Sequence, residues 1–109
     1  MAKYNQNHTM RAGETKTIRV TVRNRATGAL VSFTSATITW TVKQNSTTLV
    51  TKTVGSGITV ISTGIFDMTL DTGDTTTASG DYTHEVRGTL ADGTVTSMTL
   101  GTISIEPTL

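Results

Sequence analysis

The chain has 109 residues, 35% of them apolar and 16% charged, with a net charge of +1. This predicts one domain with a single modest core. The lack of cysteine excludes disulfides and thiolate chemistry, no apolar run reaches the ~18 residues of a membrane span, and nine scattered basic residues make no nucleic-acid footprint.

Residues 1–12 are polar and unpatterned, and read as an extended arm that orders only against a neighbour. They lack the apolar stretch of a signal peptide, so synthesis and folding in a cytoplasm are expected. Residues 13–109 then read as strands. Threonine, about a quarter of the chain, is β-branched yet tolerates water, so it suits pleated sheets with one wet face.

From Glu14 to Arg23, Ile18, Val20 and Val22 alternate with Thr17, Arg19, Thr21 and Arg23, which is strict period two. Arg19, Arg23 and Arg25 read as a solvated edge. A turn at residues 24–28 leads into an irregular connector carrying Leu30, Val31 and Phe33. Between Ala36 and Lys43, Ile38, Trp40 and Val42 share a face, and the single tryptophan is the expected centre of the core. Strands follow at residues 47–54, 58–61 and 65–70, the last with Phe66, Met68 and Leu70 on one face.

Residues 71–79 are polar, with room for one helical turn capped by Asp71 or Asp74. The strand from Gly80 to Leu90 places Tyr82, His84 and Val86 together. Ser79-Gly80-Asp81-Tyr82 resembles a tyrosine corner. Asp92-Gly93 is a hairpin signal. The final strand carries Met98 and Leu100 in one phase and Ile103 and Ile105 in the other, so a β-bulge is expected at Gly101. About seven short strands with regular turns, and no helical periodicity, predict an all-β chain: an immunoglobulin-like antiparallel sandwich. Its expected core is Ile18, Val20, Val22, Ile38, Trp40, Val42, Phe66, Met68, Leu70, Tyr82, Val86, Leu100 and Ile103.

Chemistry-bearing motifs are few. Asp71-Thr72-Gly73 matches the core of retroviral-type aspartic proteases, whose facing carboxylates share a proton. It falls late in the chain, however, and a turn-capping role is the better reading. His84 reads as a packed, hydrogen-bonded residue. Asp67, Asp71, Asp74 and Asp81 could meet at one end of a sandwich, but nothing matches a calcium loop. A carbohydrate-binding module would need exposed aromatic platforms, and only five aromatics are present. No catalytic, cofactor or metal residues are assigned.

Arg11-Ala12-Gly13-Glu14-Thr15, Trp40-Thr41-Val42-Lys43, Gly80-Asp81-Tyr82 with Glu85-Val86, Ala91-Asp92-Gly93-Thr94, and Gly101 with Ile103, Ile105 and Pro107 form a layout. It resembles the immunoglobulin-like domains of small tailed-phage structural proteins: capsid decoration, neck and tail accessory, and baseplate upper proteins. The resemblance implies a non-enzymatic virion protein. An end at Leu109, without a fibre region, fits a decoration (cement) protein on the capsid surface. The expected partners are the major capsid protein and copies of the chain itself, as a homo-oligomer. The alternatives are a neck, tail or baseplate adaptor and, in another class, a glycan-binding module for host attachment. Expected contact segments are Met1 to Arg11, the 24–34 connector and residues 71–79. Candidate contacts within them are Lys3, Tyr4, Asn5, His8, Arg11, Arg25 and Asp74.

Overall fold

A computed structural model describes residues 3, 4, 7–23, 26–33 and 35–107. The chain is all-β, with one helical turn. In chain order the elements are β1 Lys3–Tyr4, β2 His8–Arg11, β3 Lys16–Thr21, β4 Thr37–Gln44, β5 Thr47–Val54, β6 Gly57–Ser62, β7 Ile65–Leu70, α1 Thr72–Thr75, β8 Gly80–Thr89 and β9 Val95–Glu106. The strands form one sheet, in the order β1-β9-β8-β4-β5-β6-β7-β3 with β2 also on β9, and it nearly closes into a barrel. Seven of these strands match the seven expected runs.

The sheet is continuous, where two separate sheets were expected. A thin seam lies between β5 and β6, which share only Thr53↔Gly57 and Val54↔Ile58 around a tight turn. On one side of this seam stand β5, β4, β8 and β9 with the two N-terminal strands; on the other stand β6, β7 and β3. Alternating side chains from both sides fill the space between them. Ile18, Val20, Val22, Ile38, Trp40, Val42, Phe66, Met68, Leu70, Tyr82, Val86 and Ile103 are all buried. Phe33 reaches in from the connector and meets Phe66 edge to face at 5.3 Å. The Asp92-Gly93 turn forms as expected: Thr94 donates its backbone N–H to the Asp92 side chain at 2.9 Å.

Two further regions differ from expectation, β9 and the arm. Leu100 is only half-buried, and it pairs with Glu85 on the outward face of β8. The bulge lies at Met98, not at Gly101. Val86 pairs with Thr99 and Arg87 with Ser97, so Met98 is the extra residue and turns inward to full burial. The phase change therefore occurs before Leu100, which places it outside.

The second correction concerns the arm. Its described part is ordered against its own chain, not only against a neighbour. Lys3 and Tyr4 pair in parallel with Thr99 and Leu100, and His8–Arg11 pair in parallel with Ile103–Glu106. Met10 and Ala12 are buried, so this stretch adds two apolar residues to the core. Arg11 anchors its end, donating to the Pro107 carbonyl at 3.1 Å and pairing with Glu106 at 3.2 Å.

The expected helical turn is α1. Asp74 caps it, accepting the Asp71 backbone N–H at 2.7 Å, and Lys52 from β5 pairs with Asp74 at 2.8 Å. Gly73 lies inside this turn without a positive φ, and a methyl there would meet nothing within 4 Å. Gly73→Ala should therefore raise stability by about 0.5–1 kcal/mol by restricting the unfolded chain, read as a higher urea midpoint.

Candidate partner-binding surface

The two longest stretches without a charged residue are 26–42 and 53–66. The fold brings their exposed parts together. Beyond Ile58, β6 pairs with β7 alone among the described strands, so the outer edge of residues 59–62 is open. Ile61 is the extra residue of a bulge between Val60 and Ser62. Val60 and Ile61 are 40% and 47% exposed. Burying only Ile58, Phe66 and their neighbours leaves these two apolar side chains in water.

Beside them the connector folds back on the body. Val31 donates to the Val22 carbonyl at 3.0 Å, and Leu30 bridges to Arg23 while remaining 37% exposed. A notch of 210 Å³ opens between the two segments, lined by Ser32, Phe33, Val60, Ser62 and Thr63. Its lining combines the apolar Phe33 and Val60 with three hydroxyl side chains. Neutral, partly apolar edge strands are templates for pairing with another chain, and most proteins guard them with lysine or proline. No such guard stands between Lys52 and Asp67.

The residues singled out from sequence are placed differently. Asn5 and Arg25 lie outside the described residues, and Lys3 and Tyr4 are placed by backbone pairing alone. His8 is half-buried with its Nε2 closed from solvent. Arg11 and Asp74 are engaged within the chain, through Glu106 and Lys52. The Arg11 and Asp74 side chains are thus paired within the chain. Among the described residues of the three expected segments, the connector offers exposed apolar surface at Leu30. Val60 and Ile61 were missed, because the short Ile58-Thr59-Val60-Ile61 run does not show which of its apolar members will be covered.

The remaining carboxylates have separate neighbours. Arg19 grips Asp67 through two hydrogen bonds of 2.8 and 3.0 Å. These bonds hold the Asp67 carboxyl below the usual range and raise the Arg19 pKa. Asp81 accepts from Ser104 at 2.8 Å, and Asp71 lies 3.9 Å from Lys52. Among the described residues no three acidic or imidazole groups gather to hold a metal ion. Phe33, Trp40, Phe66 and Tyr82 are all buried, so none of them can serve as a sugar-stacking platform.

No protein-family model matches this chain, and no curated protein matches it.

Proposed function

We propose that this chain is a non-enzymatic structural subunit of a tailed-phage particle, an immunoglobulin-like domain that binds the capsid exterior and strengthens contacts between shell subunits. The observation that carries its binding role is the neutral, open β6 edge beside the Phe33–Val60 notch. The assignment to a virion rests on the layout of turn glycines and strand motifs described above. The pairing order supports the immunoglobulin-like reading: β9, β8, β4 and β5 stand side by side, β7 stands between β3 and β6, and the short N-terminal strand β2 runs parallel to the last. Such a domain binds by adding a strand to its edge and filling a small apolar notch, multiplied over many copies on a symmetric shell.

The double variant Val60→Lys, Ile61→Lys tests this surface. Both side chains are already exposed, so folding stability should change by less than about 1 kcal/mol. Burying two unpaired ammonium groups in an interface should weaken attachment at least ~100-fold. The readout is co-sedimentation with particles lacking the protein. Unchanged attachment by a folded double variant would exclude the β6 surface. Reconstruction of the particle tests the virion role: density over the whole head supports a cement protein, density at one vertex or the tail replaces it with an adaptor, and absence from the particle overturns both.

A further inference from the structure

Two histidines meet inside the sheet, on strands that are not neighbours. His8 of β2 pairs with Ile103 of β9, and His84 of β8 pairs with Gly101 of the same strand. Gly101 has no side chain, so the two rings contact one another across β9, edge to face, with centroids 6.0 Å apart. His84 is fully buried, and its Nδ1 accepts the Trp40 indole N–H at 3.0 Å. A nitrogen that accepts this bond carries no proton. Adding one would set two donors against each other in the centre of the core. The Nε2 of His8 is shut from solvent and has no hydrogen-bond partner.

We propose that the His8–His84 contact is a proton-operated latch: mild acid charges His8 and frees β2, together with the arm, from β9. The groups facing His8 disfavour its charged form. On β8 stands His84, bonded in turn to Trp40 of β4. On β3 stands Lys16, a cation. On β9, Gly101 and Ile103 have nothing to titrate. On its own strand the nearest charge is Arg11, already paired with Glu106.

Burial first, then His84, then Lys16 lower the His8 pKa below its ordinary 6.5. The sign follows. A base whose pKa is depressed in the latched state stabilises that state fully above pH 6.5. The contribution is lost as pH falls from 6.5 through the lowered value, because the released imidazole takes up a proton that the latched one refuses.

Peeling β2 away is the cheapest relief. Among the described strands it pairs with β9 alone, whereas β8 and β4 have neighbours on both sides. Release exposes the outer edge of β9 and a free strand at once, the two halves of a strand exchange with another chain. The inference does not depend on the virion reading.

Amide hydrogen exchange on the intact chain, corrected for intrinsic rates, tests it. Between pH 7.5 and 5.0, protection at residues 8–11 should fall by about tenfold for each unit by which the His8 pKa is lowered. Amides of Trp40, Val42 and Val86 should stay protected. The variant His8→Phe keeps a ring but cannot titrate, and its profile should be flat. Equal protection at both pH values, an equal fall in His8→Phe, or a simultaneous fall in the central strands would each overturn the latch. Should His8→Phe fail to fold, the His8 imidazole resonance of the natural chain decides: a midpoint at or above 6.5 overturns it, and a lower midpoint coinciding with the loss of protection supports it.

Discussion

Trp40→Ala is expected to leave the chain barely folded or unfolded at room temperature. The indole is fully buried on the central strand β4, opposite Val86 and packed among side chains from both sides of the sheet seam. Truncating a buried tryptophan leaves a cavity costing about 3–5 kcal/mol. The mutation also removes the donor to His84, leaving Nδ1 without this bond in a dry core, for a further ~1–3 kcal/mol. A domain of this size has only about 5–15 kcal/mol in total. Trp40→Phe separates the two costs, since it keeps most of the volume and loses only the N–H. Urea unfolding at pH 7.5, followed by far-ultraviolet circular dichroism, should place Trp40→Phe between the natural chain and Trp40→Ala. A Trp40→Ala variant that lost less than about 2 kcal/mol would mean that the core is not centred on this residue.

How much of this was written in the sequence depended on whether the signal was local. The seven longer strands were legible because they are rich in β-branched residues, several with strict alternation as in Thr17–Arg23 and Thr37–Lys43, and the turns between them carry glycine, asparagine or aspartate. The N-terminal strands were not. β2 has one apolar residue, Met10, and its partner lies 95 positions away in a parallel pairing that no turn announces.

The bulge in β9 was seen but misplaced, because glycine is its usual host. The thioether of Met98 fills the space where a side chain on Gly88 would stand, and the missing side chain of Gly88 is what lets Met98 turn in. That complementarity spans two strands and has no local trace. The partner surface shares this limit. The 24–34 connector could be flagged by its irregularity, whereas Val60 and Ile61 look like core until β5 turns away from β6 after two rungs.

Gly64→Val is expected to cost about 3 kcal/mol, through contacts that also bind the two halves of the partner surface together. Gly64 follows Thr63 in the tight turn between β6 and β7 and has a φ of +76°. A branched side chain in the left-handed region costs roughly 1–2 kcal/mol by itself. Crowding adds to it: a Cβ would come within 2.8 Å of the Leu30 side chain and 3.0 Å of the Val22 carbonyl oxygen. That backbone cannot yield easily, because Val22 donates its own N–H to the Gly64 carbonyl at 2.7 Å. Overpacking of this kind costs about 1–3 kcal/mol. Gly93→Val is the reference. Its φ is +90° and nothing lies within 4 Å of the position, so it carries the backbone strain without the crowding. Thermal unfolding should rank Gly64→Val below Gly93→Val. Because the Val22–Gly64 bond and the Leu30 contact hold the connector against the β6–β7 turn, attachment to particles should fall in Gly64→Val and hold in Gly93→Val. Equal melting temperatures for the two variants would show that the connector does not press on this turn, and the shared neutral surface would lose its structural basis.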